Sequence, residues 1–196
     1  MRKTIYTLLF IFSFLLAIPC ISEAKTTSSN WYKKVLDSTS ATFVIGKKRY
    51  YRSNYYYYKT LDINKDGCKE LILSTTSDNY LTYEDSALLL AWNRGKVRAV
   101  KEFSNDGGGS IGYSSKKKQL CFFKRTSTDS SYTSYNLKGG KLKKADKTSY
   151  VRKSFNKSPY YKYIYKVNGK KVSQKRWNSY SKKIYGKGLD YNYIAR

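Results

Sequence analysis

Histidine does not occur in this chain of 196 residues. Its absence removes the commonest general base and the commonest zinc ligand together, and with them Ser-His-Asp and Cys-His catalysis. Acidic residues are scarce, 13 against 39 lysines and arginines. A carboxylate pair for a hydrolase acting on wall polysaccharide would have to come from Glu84, Asp85, Glu102 and Asp129, and nothing in their sequence context marks two of them as partners. None of the three cysteines lies in a C-x-x-C, so metal or dithiol redox motifs are not expected. No apolar run reaches the ~20 residues of a membrane-spanning helix. No linker or long internal repeat divides the chain.

The longest apolar run, Ile5 to Ile18, follows Met-Arg-Lys and leads to Ser22-Glu23-Ala24. A basic head, a short apolar core and a small-residue exit read as a signal peptide over residues 1–24, cleaved after Ala24. Pro19 ahead of Cys20 argues against a lipoprotein anchor. Residues 25–196 are then one secreted domain, long enough to bury a core without disulfide staples. Cys68 and Cys121 survive cleavage, and in an oxidising compartment they have a single possible pairing. The alternative is that each packs separately as a small hydrophobe.

A net charge of +26 speaks about partners rather than fold. An exported basic protein meets anionic wall or surface polymers, such as teichoic acids, acidic polysaccharides and phospholipid surfaces. Nucleic acid is not expected as a partner outside the cell. The plainer alternative is that lysine keeps a tyrosine-rich surface soluble.

Hydrophobic patterning predicts an α+β fold, predominantly an antiparallel β-sheet or meander with a short helix near each end of the mature chain. Asn30 is placed to cap a helix from Trp31 to about Asp37. "TFVIGKKRYY" reads as two strands joined at Gly46-Lys47, and "ELILST" as an apolar, central strand. "ALLLAWNRGKVRAV", "SYNLKGGKLKKA" and "YIYKVNGKKV" each set Asn or Gly between β-rich arms, as hairpins do. The last helix starts at a Ser173 cap, with Val172 and Trp177 placed as a hydrophobic staple. Its apolar stripe is Trp177, Tyr180 and Ile184, and Gly186 closes it.

The chemistry-bearing stretch is "LDINKDGCKEL", residues 61 to 71. Asp62, Asn64 and Asp66 place oxygens on alternate residues, Gly67 permits a sharp turn, and Glu70 follows. Calcium takes six to eight hard oxygens, and alternate side chains of a tight loop converge on one centre. The twelfth position of an EF-hand should be a bidentate Glu, but here it is Leu73, so that loop type is excluded. The spacing instead resembles the calcium loops of FG-GAP and integrin-propeller type. That resemblance implies side-chain ligands from Asp62, Asn64, Asp66 and Glu70, with the main-chain carbonyl of Cys68. The alternative is an ordinary polar turn. The order of a Trp-led helix, "YKTLDINKDGCKELILST", x-G-K hairpins and a closing "VNGKKVS" helix is similar to a group of small secreted proteins of Gram-positive bacteria with a D-I-N-x-D-G-x-x-E-L core. The similarity implies export and a single β-rich domain, and no activity.

"DGGGSIG" spells a dinucleotide fingerprint, but a strand-like "YSSKKKQLCFF" follows where a helix must begin, which leaves a glycine-rich surface loop or hairpin connection. Tyrosine and lysine interleave over Tyr50 to Tyr58 and Tyr160 to Lys166, as stacking platforms for sugars or polyanions do and as ordinary sheet faces also do. Taken together these features predict a non-catalytic, cationic, cell-wall-associated module with one structural calcium loop. A wall hydrolase and a protein-binding effector are the alternatives.

Overall fold

Glu70 to Ser74 is buried at every position and Ala87 to Ala91 likewise, and these two apolar runs set the architecture. The computed structural model describes residues 30–104, 107–155 and 158–194. The leader expected over 1–24, with Cys20 and the cleavage point after Ala24, lies outside the described residues. Strands β3 (Tyr57–Leu61), β4 (Glu70–Ser74), β6 (Ser86–Asn93), β7 (Lys96–Ser104) and β15 (Asn192–Tyr193) form an antiparallel five-stranded sheet in the order β15-β3-β4-β6-β7. A strand covered on both faces has no polar side to present, hence the unbroken apolar lettering of β4 and β6.

One face of this sheet packs on a second, eight-stranded antiparallel sheet. That sheet holds β8 (Gly109–Ser114), β9 (Gln119–Arg125), β10 (Asp129–Lys138), β11 (Lys141–Phe155), β12 (Ser158–Val167), β13 (Lys170–Val172) and β14 (Lys187–Gly188), with β5 (Tyr80–Leu81) paired to β8. Ile72, Leu89 and Phe103 from the first sheet and Ile111, Leu120 and Leu137 from the second form the inner core. The opposite face of the first sheet, with Leu71, Leu73, Leu88 and Leu90, is closed by helix α1 (Trp31–Asp37) and the hairpin β1 (Thr42–Ile45) to β2 (Lys48–Tyr51). Helix α2 (Gln174–Tyr185) lies on the outer face of the second sheet and touches every strand from β12 to β8. The fold is therefore α+β and mostly antiparallel, as the patterning predicts, with a short helix near each end. Among the described residues no helix is long and apolar enough to cross a membrane.

The turns explain much of the register. Arg94-Gly95 and Asn168-Gly169 have positive φ at both central residues (51° and 76°, 48° and 85°), the twist that two-residue hairpins require. Ser173 caps α2 by accepting from Arg176 N at 3.3 Å, and Gly186 ends the helix with φ 70°. At the other helix Asn30 stands at the expected N-cap, but its side chain makes no capping hydrogen bond. The buried stripe of α2 is Trp177, Ser181 and Ile184, while Tyr180 lies at its margin and reaches a carboxylate of the sheet instead. "DGGGSIG" is a surface turn only in part: Gly107 is exposed, but Gly109 onward is the buried strand β8. A Cβ at Gly112 would lie 2.4 Å from the Tyr185 carbonyl oxygen, so only glycine lets α2 end against this strand.

Candidate functional site

The acidic loop joins β3 to β4 and is built around its own carboxylates. Asp62 accepts from Asp66 N and Gly67 N, each at 3.0 Å, and Asp66 accepts from Cys68 N at 2.8 Å and from the Asn64 amide at 2.8 Å. Lys65 and Gly67 turn the chain with φ 62° and 87°. Ile63 is fully buried in the inner core, and its N–H donates to Glu70 Oε2 at 2.9 Å. The Tyr113 hydroxyl donates to the Asp62 and Ile63 carbonyls, which ties the loop to the second sheet. Glu70 is 3% exposed. Burial, followed by the nearby Asp66 and Asp62 charges, pushes its carboxyl up to about 8, although the Ile63 N–H pulls the other way.

The donors are hard oxygens of the type calcium takes, and the crowding that raises Glu70 is what a cation would relieve. Yet among the described residues no three Asp, Glu, Cys or His side chains are gathered as a metal-holding group. Asp62 and Asp66 are turned onto loop N–H groups and Glu70 faces the interior. An incoming ion would have to draw Asp62, Asn64, Asp66 and Glu70 together.

The expected pairing of Cys68 with Cys121 is not present: the two are not bridged. Cys68 packs against the α1 layer. On β9 the flanking Leu120 and Phe122 face the inner core, so alternation turns Cys121 outward to the α2 layer. Two sheets separate the side chains. Burial pushes the Cys121 thiol up to about 12, which makes it an unreactive packed hydrophobe.

The candidate carboxylates are dispersed. Glu102 on β7 accepts from Lys48 Nζ at 2.8 Å and from the Tyr50 hydroxyl at 3.1 Å. Asp85 holds Thr82 and Thr75, and exposed Glu84 accepts from Tyr83. Asp129 opens β10 beside a cleft of its own. The Tyr50 to Tyr58 stretch is divided as well, since Tyr50 and Tyr55 are core residues. On β12, Tyr161 and Tyr163 share one exposed face and form an open platform.

That platform is the outer face of the eight-stranded sheet beyond the reach of α2. Trp177 is packed against Tyr132, Tyr150 and Tyr165 at 5.2–5.9 Å between ring centres. Tyr150 then meets Tyr163 edge-on at 5.8 Å, and Tyr163 is 46% exposed. A polar cavity of about 360 Å³ opens here, lined by Tyr80, Tyr150, Tyr163, Arg125, Arg152 and Asp129 with the Thr126–Thr128 turn. On the other flank of α2, Asp146 accepts from Asn168, Tyr180 and Lys117 at 2.9–3.1 Å. These donors hold its carboxyl below the usual range against the upward pull of burial and pin the helix to the sheet.

Comparison with family models, with curated proteins and with solved structures gave no match. The cavity escaped the sequence reading because its residues come from β5, β9, β10, β11 and β12. The one local signal is "RTSTDS", a hydroxyl-rich turn between two strands.

Proposed function

We propose that this protein is an exported, cationic, non-catalytic module that binds anionic polymers of the cell surface or wall, with a calcium-stabilised loop at Asp62–Glu70. The observation that carries the reading is the cationic end formed by β11 to β13 and α2. Lys153, Lys162, Lys166, Lys171, Lys175 and Arg176 are exposed there. The ion pairs Lys48–Glu102, Lys117–Asp146 and Lys187–Asp190 involve none of them. Uncompensated cations on hairpins and a helix make a distributed, salt-screened contact. Glu84, Asp85 and Glu102 are each engaged with separate partners, and Asp129 stands apart from them at its own cleft, which favours binding over turnover.

Retention of the purified protein on wall polymer tests the proposal. Binding should fall steeply as salt rises, and single Lys→Ala changes should alter it little. Turnover of the polymer, lost on Asp129→Asn or Glu102→Gln, would replace the binding reading with the hydrolase. For the loop, calcium at about twenty times a dissociation constant of ~10⁻⁴ to 10⁻³ M adds ~1.8 kcal/mol of stability. Asp66→Ala should abolish that gain. Coincident thermal scans in calcium and in chelator would mean that the loop is only a turn.

A further inference from the structure

The cavity beside Tyr163 combines groups that a general polyanion surface would not. Its mouth is rigid. Thr126 N donates to the Asp129 carbonyl at 2.8 Å, and Asp129 N returns a hydrogen bond to Thr126 Oγ1 at 3.1 Å. Arg152 N donates to the Thr128 carbonyl at 2.8 Å, and Arg125 N to the Gly108 carbonyl at 2.9 Å. The turn between β9 and β10 is thus fastened to β11 on one side and to the approach to β8 on the other. A Cβ at Gly107 would lie 2.5 Å from the Arg125 carbonyl oxygen, so this wall is as close as backbone can come.

Two tyrosines flank the opening with exposed ring area, Tyr80 at 43% and Tyr163 at 46%. Arg152 lies with its guanidinium 4.3 Å from the Tyr161 ring centre. That cation–π contact anchors the guanidinium, whose N–H fork matches a planar acid. The decisive residue is Asp129. A carboxylate in the wall opposes a densely charged polyphosphate more than a sugar with a single acid group, and it accepts hydrogen bonds from hydroxyls. Flat apolar ring faces, a fork for a carboxylate and an acceptor for hydroxyls are together the complement of a sugar that carries both hydroxyl and acid groups. At about 360 Å³ the cavity is at the low end for ligand sites, which suits a short stretch of a chain.

We propose that this cavity is a subsite for a carboxylated sugar unit, with Tyr163 and Tyr80 against the ring, Arg152 on the carboxylate and Asp129 on ring hydroxyls. It rests on the polyanion-binding reading and supplies that reading with a point of specificity, since stacking and a paired fork survive salt that screens scattered lysines.

Titration calorimetry in about 0.5 M sodium chloride, where charges are screened beyond ~4 Å, tests it with oligogalacturonate, oligoglucuronate and hyaluronan oligosaccharides. At least one of these should bind, its methyl ester about 10-fold more weakly, and tripolyphosphate should not compete. Tyr163→Ala and Arg152→Ala should each weaken binding about 10-fold, the loss expected of a central anchor, while Tyr163→Phe should keep it. Asp129→Asn should weaken the sugar and admit tripolyphosphate. No binding by any acidic oligosaccharide, equal binding of the ester, or variants without effect would each overturn the subsite. Low-salt retention on wall polymer is measured in parallel. If retention persists while the subsite fails, the broader reading stands; if retention is absent while an acidic oligosaccharide binds, the broader reading falls and the subsite remains.

Discussion

The two outer faces of this double sheet are covered to different extents, and their chemistry follows the coverage. Helix α1 and the β1-β2 hairpin close the five-stranded sheet over Leu71, Leu73, Leu88 and Leu90, all fully buried. Helix α2 crosses only part of the wider sheet. Under it lie Trp177, Ser181 and Ile184 against tyrosines and small polar groups, including a Thr148–Ser181 hydroxyl pair at 2.8 Å. Past Tyr165 the cover stops and the tyrosine row continues into solvent. Leucine holds the closed face together by burial alone. Tyrosine serves both sides of the boundary, because its ring packs and its hydroxyl tolerates water. The incompletely covered face is where a ligand can reach a rigid surface.

The largest effects test whether the partly covered face is as integral as the closed one. Trp177→Ala should cost about 4 kcal/mol and Leu88→Ala about 3 kcal/mol in denaturant unfolding, by the usual range for large core truncations. A Trp177→Ala cost below about 1 kcal/mol would make α2 an appendage and dissolve the comparison.

Next comes the junction between the sheets at Glu70. In the folded chain its carboxyl keeps its proton up to about 8, against an ordinary value of 4.5. The unfolded chain releases that proton near the ordinary value. Folding therefore favours the protonated form, and its contribution is fully present below that value and lost as pH rises through about 8. In chelator, stability should fall by about 2 kcal/mol between pH 6 and pH 8, and Glu70→Gln should flatten the slope. A stability that is flat or rises over this window in the unmutated protein would show that Glu70 is ionised at neutral pH. The smallest expected effect falls on the open face, where Tyr163→Ala should leave unfolding within about 0.5 kcal/mol of the unmutated protein. A loss as large as that at Leu88 would make Tyr163 a packing residue.

Much of the fold was legible. The hairpins at Gly46-Lys47, Asn168-Gly169 and the two between them rest on local turn chemistry, and α1 starts and stops at Trp31 and Asp37 as the pattern predicts. Strand β8 was not legible, because glycines that spell a loop are here the only residues thin enough to pass beneath Tyr185 and beside Phe123. Cys68 and Cys121 showed a permitted pairing but not their faces. The alternation that separates them has meaning only once each strand's inner side is known. The acidic loop was visible as a turn with four oxygen-bearing side chains, while the burial of Glu70 beneath Ile63 was not.

By itself, then, the sequence determined strand and turn positions, the central place of β4, the cap and closure of α2 and the excess of positive charge, since all of these depend on neighbours a few residues apart. Tertiary structure alone decided how far α2 reaches across the sheet, that Tyr150 is half-buried while Tyr163 is open, and that Tyr80, Arg125, Asp129 and Arg152 meet at one cavity. Those are properties of distance between strands remote in sequence, and no local pattern encodes which residues of one strand end up beside the uncovered part of another.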